Sequence, residues 1–195
     1  MKKILLGFAL VAGTFTFAQK TTSTHTSSPV RFGLKAGLNI SSISGDGLKS
    51  KAGFYGGAFA NIPVAQDFSV QPEVLYSGMG AKDDFDGNAK LNLDYIAVPV
   101  MFQYNALPNL YLEAGPQFGF LMSAKSKYNS ASVDVKDELK TFDFGIGLGA
   151  GYYFTNNIGV NLRYVAGLTD LAKNRPSGSD SSKNGVFQVG LAYKF

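Results

Sequence analysis

From Arg31 onward the chain alternates apolar with polar or small residues at a period of two, the spacing of strands whose two faces see different surroundings. Phe32, Leu34, Ala36, Leu38 and Ile40 interleave with Arg31, Gly33, Lys35, Gly37 and Asn39. The same pattern returns as Phe68–Ser77, Tyr95–Tyr104, Leu110–Phe120, Phe142–Phe154, Ile158–Leu168 and Gln188–Phe195. It is weakest over 53–62, where Phe54, Ala58, Ala60 and Ile62 oppose Tyr55, Gly57, Phe59 and Asn61. The pattern predicts eight strands of roughly ten to thirteen residues. A tilted strand needs about 9–11 residues to cross a bilayer, whereas soluble strands centre on about 5–6. No amphipathic helix competes.

The connections alternate in length. Pro63–Asp67, Asn105–Asn109 and Thr155–Asn157 are short, while 42–52, 81–91, 124–140 and 171–184 are long and polar. Short turns at one end and long loops at the other are the asymmetry of outer-membrane barrels. The expected fold is therefore all-β: an eight-stranded antiparallel up-and-down transmembrane β-barrel over 30–195. Pro72 and Pro116 fall within predicted strands, which suggests a bulge or irregular pairing at each.

Periodicity alone does not decide whether the apolar face meets lipid or the core of a soluble calyx. Composition does. A calyx would carry a densely charged outer face, but charged residues make up only 16% of this chain. The polar face is instead mostly Gly, with Arg31, Lys35, Glu73, Glu113, Asp143, Arg163 and Lys194. Glycine suits a crowded lumen, since eight strands enclose only enough room for side chains. Arg31, Lys35, Glu73, Glu113, Asp143 and Arg163 are expected to form a candidate lumen network, with Glu73 pairing to Lys35 or Arg163 across neighbouring strands, and Lys194 to join it or the periplasmic rim. Tyr76, Tyr104, Tyr152, Tyr164 and Tyr193 lie towards strand ends, as an interfacial girdle requires.

The N-terminus agrees with export. Met1-Lys2-Lys3 precedes an apolar stretch to Phe17 and small residues at Thr16 and Ala18, the pattern of a signal peptide over 1–18. Residues 19–29 read as a disordered Ser/Thr linker. Cleavage would remove Lys2 and Lys3, taking the net charge from +4 to about +2, too little to argue for nucleic acid. With no Cys, disulfides and thiolate metal sites are excluded.

Gln188–Phe195 ends on alternating aromatics. Its pattern of polar-x-Gly-x-x-aromatic-x-aromatic, carried by Gln188, Gly190, Tyr193 and Phe195, resembles the signal by which barrel-assembly machinery recognises clients. Pairing with Arg31–Ser41 would close the barrel. The strands Phe32–Asn39, Phe68–Ser77, Tyr95–Val100 and Glu113–Gly119 resemble the small outer-membrane barrels of Bacteroidetes, the "porin family" or PorT-like type. That resemblance spans about 30–195. It implies the outer membrane of a Gram-negative bacterium, insertion among outer-membrane lipids, and handling by barrel-assembly machinery and periplasmic chaperones. It also implies one interior ion pair fewer here, because Ala97 stands where relatives often carry Glu.

Chemistry is otherwise sparse. The only His, His25, lies in the linker, which disfavours a lipid-active barrel enzyme. Asp83, Asp84 and Asp86 lack the downstream Glu of a Ca²⁺ loop. Gly145, Gly147, Gly149 and Gly151 lack the strand–loop–helix context of a phosphate cradle. No catalytic residue, cofactor or metal is expected. The expected role is structural or surface-interacting, through long loops over a plugged lumen. The alternative is a narrow pore or secretion-apparatus component, with secretion-system or surface partners at the loops.

Overall fold

The structure, a computed structural model, describes residues 29–44, 48–83, 89–128, 131–170, 173 and 183–195. The expected signal peptide, nearly all of the linker and His25 lie outside the described residues, as do Asp84 and Asp86. The described residues form nine strands: β1 (Arg31–Ile43), β2 (Leu48–Ala65), β3 (Phe68–Asp83), β4 (Ala89–Leu107), β5 (Leu110–Tyr128), β6 (Ala131–Asp134), β7 (Phe142–Tyr153), β8 (Ile158–Gly167) and β9 (Asn184–Lys194).

Eight of them close into a ring. Each pairs antiparallel with its sequence neighbour, β5 passing directly to β7, and β9 returns to β1 with Gly33 opposite Lys194 and Ile43 opposite Asn184. The closure expected between the last strand and Arg31–Ser41 is thus present. Closure leaves no unpaired edge, which a lipid environment cannot solvate. The ring of eight omits β6, a four-residue strand that pairs with Lys125–Tyr128 of β5. β6 and a 3-10 turn at Lys136–Glu138 lie inside the long connection expected to be loop.

The strands depart from expectation in length and in the placing of their irregularities. β2 to β5 have 16–19 residues and rise beyond the shorter strands at the long-loop end. The turns at the other end are correspondingly tighter, Gln66–Asp67 and Pro108–Asn109. Between β7 and β8, the Thr155 hydroxyl accepts from the Asn157 and Ile158 amides at 3.2 and 2.9 Å, closing that turn locally. Pro72 and Pro116 cause no bulge: they stand in unshifted register opposite Val100 and Ile146. A proline deletes one N–H but adds no residue, and a bulge needs the extra residue. The shifts fall instead at Ser50/Tyr55, Pro63/Ala65, Asp94/Tyr95 and Asn105/Leu107.

The two faces are inverted relative to a soluble domain. Leu38, Phe102, Leu148 and Leu191 point outward and are 58–61% exposed, amid a continuous apolar belt. A soluble monomer rarely presents an apolar patch beyond a few hundred Å², so the soluble calyx is excluded. Outward aromatics pair near the ends of the belt, as Phe68 with Tyr104 and Tyr193 with Phe195, ring centroids 5.0 and 5.4 Å apart. The Tyr76 hydroxyl donates to Asp94 at 2.7 Å at the long-loop side of the belt.

The lumen is packed in tiers. Towards the long loops, Ile43, Met79, Leu93, Tyr95, Leu121, Val165 and Val186 form an apolar plug capped by Val135 and Leu139. Tyr55, Leu75 and Ala97 fill the middle, and Phe59, Tyr111, Tyr153 and Ala192 fill the short-turn end. Polar and charged side chains occupy the space between.

Candidate functional site

The interior charges converge on Arg163 of β8. Its Nη1 and Nη2 donate to Glu73 Oε2 and Oε1 at 2.9 and 2.8 Å, and its Nε donates to Glu113 Oε1 at 2.7 Å. Lys35 Nζ donates to Glu73 Oε1 at 2.8 Å. All four residues are no more than 3% exposed. Two cations face two anions, so the cluster is neutral. The guanidinium fork meets Glu73 with two parallel bonds, the geometry that makes such pairs strong and directional.

Neighbouring strands were expected to supply these pairs, but they do not. In the ring, β3 and β8 lie four strands apart whichever way one counts, so the Arg163–Glu73 bridge crosses the whole lumen. Lys35 reaches Glu73 past β2, and Glu113 reaches Arg163 past β7. The intervening strands allow this because they carry glycine at the crossing. Gly149 stands in register between Glu113 and Arg163. A Cβ there would lie 2.5 Å from the Leu162 carbonyl oxygen and 3.0 Å from Glu113 Oε1. The period-two glycines of β7 are therefore clearance for side chains that span the barrel.

Neutral amides, outside the expected charge network, complete the cluster. Gln71 Nε2 donates to Glu73 Oε1 at 2.8 Å, and Gln103 Nε2 donates to Glu113 Oε2 at 3.0 Å. Asn61 Nδ2 in turn donates to Gln103 Oε1 at 2.9 Å and to Ser69 Oγ at 3.0 Å. A buried carboxylate keeps its charge only when its lone pairs are occupied, and these amides occupy the ones that Arg163 and Lys35 do not. Their inward register was readable from the alternation, because Gln71 and Gln103 share a face with Glu73 and Glu113.

Two of the expected network residues stand elsewhere. Arg31 lies at the short-turn rim, where its guanidinium donates to the Phe195 backbone oxygen at 3.3 Å. Asp143 lies higher in the lumen, where its Oδ2 accepts from Asn184 Nδ2 at 3.2 Å. Lys194 sits with its Nζ 3.9 Å from the centroid of the Tyr153 ring.

The four residues expected to form an assembly signal also have places in the packing. Gln188 faces inward and donates to Asn39 Oδ1 at 3.0 Å. Gly190 is paired with Gly37 across the β1–β9 seam, and a Cβ on either would strike the Tyr55 side chain. Tyr193 and Phe195 face outward with the apolar belt.

The charges of the cluster are balanced within it. Among the described residues no group of three or more His, Cys, Asp or Glu is placed to hold a metal ion.

The comparisons with known proteins agree with this architecture. A family model described as "Outer membrane protein beta-barrel domain" matches residues 17–173. The solved structure of Ail, the attachment invasion locus protein of Yersinia pestis, is 17% identical with a TM-score of 0.55, covering 86% of this chain and all of that one. Neisserial surface protein A is 14% identical with a TM-score of 0.59, over the same shares. These identities carry the fold and no more. No curated protein matches in sequence.

Proposed function

Since the chain belongs to the outer membrane protein β-barrel domain family, we propose that it is an integral outer-membrane barrel with a sealed lumen that works through its long-loop end. One observation carries this reading: the Arg163–Glu73 bridge spans the lumen, and both side chains are at most 1% exposed. A conducting barrel keeps a water-filled path, and a bridge of this kind blocks it. The role is structural or surface-interacting and not enzymatic.

In this reading the short turns face the periplasm and the long loops face the cell exterior. Met1–Ala18 is removed on export, and Gln188, Gly190, Tyr193 and Phe195 present the barrel to the assembly machinery after periplasmic chaperones deliver it. The strand-level resemblance supports a place among the Bacteroidetes "porin family" barrels. At the long-loop end, Lys82, Lys90 and Lys127 occupy one cross-strand row on β3, β4 and β5. Lys90 and Lys127 are directly opposed and exposed. Like charges opposed across a ladder destabilise it, which supports anionic headgroups of the outer leaflet as the contact of this end.

Planar-bilayer recording of the refolded protein tests the sealed lumen. Bilayers that take up the protein should remain without discrete conductance steps. Steps that disappear on Glu73→Gln or Arg163→Gln would establish the alternative, a narrow polar pore or secretion component.

A further inference from the structure

Five buried side-chain polar atoms lack a hydrogen-bond partner among the described residues, and three of them belong to residues that line one cavity, with a fourth beside it. These four are Asp143 Oδ1, Gln117 Oε1, Asn184 Oδ1 and the Tyr95 hydroxyl. Asp143, Gln117 and Asn184 line a cavity of about 10 Å³ towards the long-loop end, and the Tyr95 hydroxyl borders Asp143 and Asn184. Gly119, Gly145 and Gly167 complete its wall, together with Met79, Val165 and Val186. The space fits about one water-sized sphere. Gln117 and Asn184 are 7% and 4% exposed, and Asp143 is half-buried with its Oδ1 enclosed, so bulk water does not satisfy these oxygens.

The three oxygens are all acceptors. The Asn184 amide is oriented by its own bond to Asp143 Oδ2, which turns its carbonyl oxygen away from that carboxylate oxygen. The Tyr95 hydroxyl brings a single proton, enough for one acceptor at most, so the remaining oxygens repel each other unless something positive lies between them. The deeper cluster offers no help, because Lys35 and Arg163 already balance Glu73 and Glu113. Asp143 is left with one negative charge and no cationic side chain beside it among the described residues.

We propose that Asp143, Gln117 and Asn184 bind one small monovalent cation of the size and charge of Na⁺. Carboxylate and amide oxygens suit a hard ion. One carboxylate balances one charge, and a divalent ion would leave an uncompensated buried charge. The site is distinct from the bridge that seals the lumen, so it stands or falls independently of the conduction reading.

Thermal unfolding of the refolded protein in detergent, at equal ionic strength, tests it without any variant. Sodium chloride should raise the midpoint by about 2–4 °C over N-methylglucamine chloride, with saturation as the salt is titrated. A midpoint indifferent to cation identity overturns the proposal and leaves a single water in the cavity. Asp143→Asn should abolish the sodium effect, and its survival in that variant overturns the proposal as well. Gln117→Glu should turn the site towards Ca²⁺, which then stabilises the variant more than Na⁺ does. If Gln117 instead donates its amide to Asp143, Gln117→Glu is destabilised equally in every salt, and the cation reading is wrong.

Discussion

At the scale of single residues, Arg163 is the side chain whose loss should cost most. It satisfies one oxygen of Glu113 and both oxygens of Glu73. Arg163→Met leaves two buried carboxylates with Lys35 as their only cation. Breaking a buried pair in this way costs about 3–5 kcal/mol. Urea unfolding in detergent should show that loss. Adding Glu113→Gln makes the cluster neutral again, since Lys35 then faces Glu73 alone, so the double variant should be more stable than Arg163→Met. A double variant as unstable as the sum of its parts would mean that the two sites do not interact.

At the scale of the strand, alternation is the whole argument, and β7 tests both of its faces. Leu148 points outward at 61% exposure, while the adjacent Gly149 faces the lumen beneath Glu113 and Arg163. Leu148→Arg puts a charge into the lipid belt and should cost about 2–4 kcal/mol near mid-membrane. Gly149→Ala adds one methyl group against the Leu162 carbonyl and Glu113, an overpacking cost of about 1–3 kcal/mol. Refolding yields and urea midpoints separate the two causes. In a Glu113→Ala background, where that crowding carboxylate is already gone, Gly149→Ala should cost less than it does in the parent protein, whereas Leu148→Arg should cost the same in both. An unperturbed Leu148→Arg would mean that the outward face is wrongly placed.

The same alternation explains how much could be read from the sequence. Every inward residue of the cluster was assignable from period two, down to Gln71 and Gln103 on the face of Glu73 and Glu113. What the spacing along one strand does not encode is which strands meet across the lumen. Arg163 and Glu73 are 90 residues apart and joined through the closed ring, not through a ladder. For that reason Arg31 and Asp143, charges on the correct face, were expected in a cluster from which height in the barrel excludes them. The strand β6 was missed because its four residues, all exposed, carry no two-faced pattern.

For the molecule as a whole, the decisive property is closure, because it converts eight amphipathic strands into one object with an inside. Closure rests on the seam between β1 and β9, where Ala36 stands opposite Leu191 on the lipid face. Opposed residues of an antiparallel pair have Cα atoms about 4.5–5.5 Å apart, within the span a disulfide bridges. The chain has no Cys, so Ala36→Cys with Leu191→Cys introduces the only two thiols. Mild oxidation of the refolded double variant should form an intramolecular disulfide, read as a mobility shift on a denaturing gel that reductant reverses. Its partner cysteines are 155 positions apart in sequence, counting from 36 to 191, so an open sheet would leave them unbridged. Cross-linked dimers in place of the shifted monomer would show strands exchanged between copies, and the sealed single-chain barrel would have to be abandoned.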